Sequence, residues 1–112
     1  MRKFSAQDRE RLAKIKLMFD EAHAIRENGD VVAYAEKIAD IEAQYVALTP
    51  PREVERLDMK RGVEITRRSR DIPFLDRTYK NLSGCIYHLE NRMRLSFKRE
   101  MLGDPPELFD DE

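Results

Sequence analysis

Apolar residues recur at alternating steps of four and three along residues 75–93 of this 112-residue chain. Such spacing places the side chains on one face of an α-helix, so it predicts a long amphipathic helix. Apolar residues continue at steps of four, and we expect this helix to span about residues 74–102 and to end at Gly103. The predicted seam consists of Leu75, Tyr79, Leu82, Ile86, Leu89, Met93 and Phe97.

Two shorter helices are predicted at the N-terminus. Ser5 and Asp8 have the spacing of a capping box ahead of an apolar stripe, and Gly29 can end this first helix. Asp30 can cap a second helix, which the run Thr49-Pro50-Pro51 ends. Because the link between them is so short, the two helices are expected to form an antiparallel hairpin.

The stretch after these prolines is harder to assign. Proline is tolerated in the first turn of a helix, so Pro51 can open a third helix. Gly62 interrupts its pattern, and residues 63–66 alternate in the manner of a short strand or an extended loop. A helix that continues to about Ser69 is favoured, with a break forced by Pro73.

These elements predict an all-α fold. We expect a three- or four-helix bundle with an N-terminal antiparallel helical hairpin and a long C-terminal amphipathic helix. A chain of this length suits one domain, predicted over residues 1–103. Residues 104–112 hold five acidic residues and no basic one, which predicts an acidic flexible tail that is either solvated or docks through Leu108-Phe109.

The predicted seam of the last helix suggests self-association. This helix is longer than the second and third helices, so part of its seam is expected to need a partner outside the chain. A homodimer through the seam residues is the working hypothesis, and complete coverage by the other helices is the alternative. The small residues Ser83-Gly84-Cys85 within the same helix suggest close approach of another helix.

Charge is distributed unevenly, although the net charge is −1. Residues 51–103 contain 13 basic and 8 acidic residues, a net charge of +5. Such a surface can contact phosphate groups, although basic faces are most often only solvated. The alternative hypothesis of nucleic-acid binding places the contacts at Lys60, Arg61, Arg67, Arg68 and Arg70.

The sequence predicts no catalytic residue, no metal site and no cofactor. His23 shares a helix face with Asp20 and Glu27, but a second such set is missing, and metal sites in bundles usually need one. Cys85 and His88 supply two ligands, whereas zinc requires three or four. An enzyme therefore ranks third, and an ordered apolar pocket with convergent arginines would revive it.

The favoured function is a non-enzymatic helical interaction or regulatory protein that acts through protein–protein contacts and self-association. A nucleic-acid-binding accessory protein is the alternative. Cys85 is the only cysteine, and no apolar run is long enough to span a bilayer, so we expect a cytoplasmic protein without membrane contact.

Overall fold

Four α-helices follow one another along the residues that the structure, a computed structural model, describes. These residues are 5–48 and 53–102, with side chains described at 5–48, 55 and 57–95. The helices are α1 (Ala6–Asn28), α2 (Val31–Leu48), α3 (Glu53–Arg68) and α4 (Ile72–Leu102). The prediction of an all-α bundle is confirmed. The predicted acidic tail, the Gly103 cap and the side chain of Phe97 lie outside the described residues.

The ends of α1 and the start of α2 follow the predicted local chemistry. The Ser5 hydroxyl accepts from the Asp8 backbone N–H at 3.1 Å, and the Asp8 carboxylate accepts from the Ser5 N–H at 3.0 Å. Gly29 ends α1 in the left-handed region at φ 79°, where a Cβ would be strained. Asp30 then accepts from the Ala33 N–H at 3.0 Å, so the link Gly29-Asp30 caps both the end of α1 and the start of α2.

The region around residues 62–73 is helical on both sides of a three-residue link. Helix α3 continues through Gly62 and ends at Arg68, which confirms the helical interpretation over the strand. Asp71 accepts weakly from the Phe74 N–H at 3.4 Å, at the start of α4. Pro73 lies in the first turn of α4, where its missing N–H breaks no hydrogen bond within the helix.

Helix α2 is the centre of the bundle, since it packs against α1, α3 and α4. Two side-chain hydrogen bonds give the relative direction of α1 and α2. Lys37 of α2 donates to Glu21 of α1, and Arg11 of α1 donates to Gln44 of α2, so the two helices are antiparallel. The predicted N-terminal hairpin is therefore confirmed. Arg67, near the end of α3, pairs with Glu36, near the start of α2, so α3 is antiparallel to α2 as well.

The seam of α4 lies in the core of the single chain. Leu75, Leu82, Ile86, Leu89 and Met93 are all at most 7% exposed, and they join the buried stripes of α1 and α2 in one cluster. Tyr79 is half-buried against the same cluster. Over the described part of the seam, α1 and α2 supply this cover within the single chain, and self-association through α4 stays a prediction.

Among the described residues, no helix is sufficiently long and apolar to cross a membrane.

Candidate functional site

A groove runs between α3 and α4, with α2 below it. Within the described residues α3 and α4 do not pack along their lengths, although both pack on α2. The space left between them has a volume of about 360 Å³. We call it the Glu42 groove, and its lining residues are Glu42 of α2, Gly62, Ile65 and Thr66 of α3, and Phe74, Thr78, Asn81, Leu82 and Cys85 of α4.

The carboxylate of Glu42 is the distinctive group of this groove. Its Oε1 atom is buried and has no hydrogen-bond partner among the described residues. Burial raises the pKa of Glu42 above its usual value, and a side-chain hydrogen bond with Thr66 opposes this only in part. An ionisable group that is desolvated at the bottom of a groove is a common feature of binding sites.

Two residues of α3 define the surroundings of this carboxylate. Gly62 faces the carboxylate, and a Cβ at this position would lie at an ordinary contact distance of 4.0 Å from Glu42 Oε2. Thr66 is 1% exposed, and its hydroxyl donates to the Gly62 carbonyl oxygen at 3.0 Å. Thr66 lowers the pKa of the Glu42 carboxylate by less than burial raises it.

Sequence analysis did not single out Glu42, although a signal was present. Ile38 lies four residues before it and Tyr45 three residues after it, and both belong to the apolar stripe of α2. Glu42 therefore occupies a position of the buried face. An acidic residue inside an apolar stripe is the pattern that could have identified this site.

Two residues of the predicted basic patch, Arg67 and Arg70, are engaged within the chain. Arg67 pairs with Glu36 and lies 3.4 Å from Asp40, both on α2, and these contacts raise its pKa further. The Arg70 guanidinium donates to the carbonyl oxygens of Arg67 and Ser69, near the C-terminal end of α3.

The other three cations of the patch are more accessible. Arg68 lies 3.3 Å from Glu64, with its side chain 82% exposed. Lys60 and Arg61 are exposed and form no ion pair with another described residue. The structure therefore does not bring the five residues together as one free cationic surface.

A network of polar side chains joins three helices, and the sequence did not predict it. Arg26 of α1 holds the Asp76 carboxylate of α4 by two hydrogen bonds of 2.8 and 3.0 Å. The buried Tyr34 hydroxyl of α2 donates to the same carboxylate at 2.6 Å. The hydrogen bond from Arg26 is the main cause that lowers the pKa of Asp76, and burial raises the pKa of Tyr34. Every group in this network has a partner, which is typical of a structural role.

The residues considered for metal binding or catalysis form no cluster of three or more ligands among the described residues. His23, Cys85 and His88 are exposed, and the His88 ring contacts Tyr87 edge-on at 5.7 Å. No group of three potential ligands among the described residues could hold a metal ion. Cys85 lies at the edge of the Glu42 groove.

The small residues of α4 face solvent. Ser83, Gly84 and Cys85 are exposed, and a Cβ at Gly84 would meet no atom within 4 Å. Within the described part of the chain, no other helix closely approaches Gly84, because the seam of α4 lies on another side of the helix.

A second groove of about 300 Å³ lies between α1 and α4. Three cations line it, but Lys16 forms an ion pair with Glu90 at 2.7 Å. The groove is lined by Arg9, Leu12, Ala13, Lys16, Glu90, Met93 and Arg94. It contains no buried polar atom without a partner among the described residues, so the Glu42 groove is the better candidate site.

Comparison with known proteins finds no matching family model, and it finds no significant match among curated proteins or solved structures.

Proposed function

We propose that this chain is a non-enzymatic helical interaction protein that binds a protein partner in the Glu42 groove. The observation that carries the proposal is the open space between α3 and α4, with a desolvated carboxylate below it. Ile65 supports it further, because this large apolar side chain is 55% exposed at the side of the groove. A partner segment placed there would remove Ile65 from water, which is favourable.

Site-specific photo-crosslinking tests the proposal. A benzoyl-phenylalanine at Ile65 is expected to capture one defined partner in the cells that produce this protein. The same group at Leu17, which is 65% exposed on α1 and outside the groove, serves as the matched control. The purified partner should then bind Ile65→Arg at least about tenfold more weakly than the parent, a loss of about 1.4 kcal/mol. Leu17→Arg should bind normally.

Two results would overturn this assignment. One is the absence of any adduct at Ile65, and the other is an equal pattern of adducts at Ile65 and Leu17. An adduct of twice the chain mass at Ile65 would make a second copy of the chain the occupant of the groove. The predicted homodimer would then use the edges of α3 and α4, since five of the described seam residues of α4 are buried in the single chain.

Nucleic-acid binding is retained as a second candidate because of Lys60 and Arg61. Both are exposed and form no ion pair with another described residue. Fluorescence anisotropy with labelled DNA and RNA at roughly 50 and 200 mM salt measures the contribution of phosphate contacts. Lys60→Ala with Arg61→Ala should reduce the salt dependence if these residues contact phosphates. Binding that is unchanged in the double variant would remove them from the interface.

A further inference from the structure

Helix α3 is the least buried element of the bundle. The hydrophobic core cluster draws its members from α1, α2 and α4, and from none of the described side chains of α3. Thr66 is the one buried side chain among those described on α3, whereas Leu57 and Ile65 are 63% and 55% exposed. An element with few buried apolar contacts can open while the rest of a protein stays folded.

The described contacts that hold α3 in place are made with α2. Within the described residues α3 packs on α2, and it does not pack along α4. Arg67 pairs with Glu36 and lies 3.4 Å from Asp40, but these carboxylate side chains are about half exposed. Ion pairs with such exposure contribute little to stability. The three helices of the core therefore depend little on α3.

The Glu42 carboxylate lies where α2 meets α3, and its charged form disfavours this contact. Gly62 and Thr66 of α3 lie against the carboxylate, so α3 is part of what keeps it from water. Its Oε1 atom is buried and has no hydrogen-bond partner among the described residues. An ionised carboxylate in this position loses hydration without full compensation. Movement of α3 away from α2 would return water to it.

We propose that α3 is a pH-sensitive switch, which opens from the core of α1, α2 and α4 when Glu42 ionises. The closed form is the arrangement described above, with α3 packed on α2. In the open form the core stays folded and the Glu42 carboxylate is hydrated. Ile65 moves with α3, so opening also removes one wall of the Glu42 groove.

The groups around Glu42 assign the switch to this carboxylate. Apart from Glu42, the residues of α3 and α4 that line the groove are uncharged, and the exposed Cys85 thiol is the one titratable group among them. The charged groups nearest along the chain have other partners: Arg11 of α1 donates to Gln44 at 2.8 Å, and Arg67 of α3 pairs with Glu36.

The direction of the pH effect follows from burial. Burial raises the pKa of Glu42 above 4.5 in the closed form, and hydration returns it to the ordinary value in the open form. The closed form therefore binds this proton more tightly. Its advantage is complete below pH 4.5, is lost as the pH rises through the raised pKa, and is constant above it.

Native-state amide hydrogen exchange, followed by nuclear magnetic resonance in the full chain, tests the proposal. The Val63, Glu64 and Ile65 amides of α3 should be protected at least about tenfold less than those of Ile86 and Leu89 in the core. Low concentrations of denaturant should affect the α3 amides less, because opening of α3 exposes less surface than global unfolding does.

Glu42→Gln keeps the side chain neutral at every pH and so isolates the switch. Near pH 7 it should raise protection of the α3 amides at least about threefold over the parent, and the ratio should approach one below pH 4.5. Glu90→Gln is the matched control, because Glu90 pairs with Lys16 on the other side of the core. This change should leave protection of the α3 amides within about twofold of the parent at both pH values.

Three results would overturn the proposal. The first is equal protection and equal denaturant dependence for the α3 and core amides of the parent, since α3 would then open only by global unfolding. The second is a ratio of Glu42→Gln to parent that is the same below pH 4.5 as near pH 7. The third is a Glu42→Gln variant that fails to fold, because the closed form should favour a neutral side chain.

The proposal goes beyond the proposed function and does not depend on it, since exchange is measured without a partner. If α3 opens as expected and no partner is captured at Ile65, the switch stands and the protein-binding function is wrong. If a partner is captured at Ile65 while the α3 amides exchange only with the core, the groove binds protein and the switch is wrong.

Discussion

The Tyr34 hydroxyl donates to Asp76 Oδ1 at 2.6 Å, and this hydrogen bond ties the core face of α2 to the first turns of α4. Arg26 of α1 binds the same carboxylate from the solvent side. Three helices are therefore aligned by one acidic side chain. Because Phe74 and Thr78 lie on the same turns of α4, this network also positions one wall of the Glu42 groove.

Tyr34→Phe is expected to destabilise the fold by about 1.5–3 kcal/mol, since it removes a hydrogen bond to a charged group. Tyr87→Phe is the matched control, because Tyr87 is 62% exposed, and its effect should stay within about 0.5 kcal/mol. Denaturant unfolding of the two variants beside the parent measures both effects. Equal stability of the two variants would show that the Tyr34 hydrogen bond contributes nothing.

Glu42→Gln should make the protein more stable near neutral pH. Burial raises the pKa of Glu42 above 4.5, so the folded protein binds this proton more tightly than the unfolded chain does. The contribution of Glu42 to stability is then complete below pH 4.5 and is lost as the pH rises through the raised pKa.

The free energy of unfolding, measured against pH for the parent and for Glu42→Gln, checks this sign. The two curves should separate as the pH rises above 4.5 and should lie closest together below it. Other carboxylates titrate in both proteins, so the difference between the curves isolates Glu42. A lower stability of Glu42→Gln near neutral pH would contradict the prediction.

Two glycine substitutions should change stability in opposite directions. Gly84→Ala adds a methyl group in open space on an exposed helix face, so it should stabilise the protein by about 0.5–1 kcal/mol. Gly29→Ala forces a Cβ into the left-handed region and should destabilise it by about 1–2 kcal/mol. Thermal unfolding distinguishes the two. A loss of stability in Gly84→Ala would indicate that this face packs against another chain.

Leu89→Ala should destabilise the single chain by about 2–5 kcal/mol, because Leu89 is 3% exposed in the core. Leu17→Ala, at a position that is 65% exposed, should change stability by about 0.5 kcal/mol or less. Unfolding is to be measured over a range of protein concentrations. An unfolding midpoint that rises with concentration would show that association between chains contributes to burial.

The helices and their ends were predicted from local chemistry. Ser5, Gly29 and Asp30 act on neighbours a few residues away, so their pattern is visible along the chain. The steps of three and four in the α4 stripe likewise identify its buried face, and Leu75 and Leu89 lie in the core as that face requires.

The partner of that face was not visible in the same way. Helical periodicity indicates that a stripe is buried but not which helix covers it. Over the described residues, α1 and α2 cover the seam that had suggested a dimer. The sequence likewise suggested that Arg67 is available to bind phosphate, whereas the antiparallel packing of α3 on α2 pairs it with Glu36.

What the sequence by itself determined is therefore the set of helices, their caps and their apolar faces, because these depend on contacts within a few residues. Only the tertiary structure decided that Tyr34 and Arg26 converge on Asp76 and that α3 and α4 leave a groove above Glu42. These relationships join residues distant in sequence, and they follow from how the helices pack on α2, which no local pattern specifies.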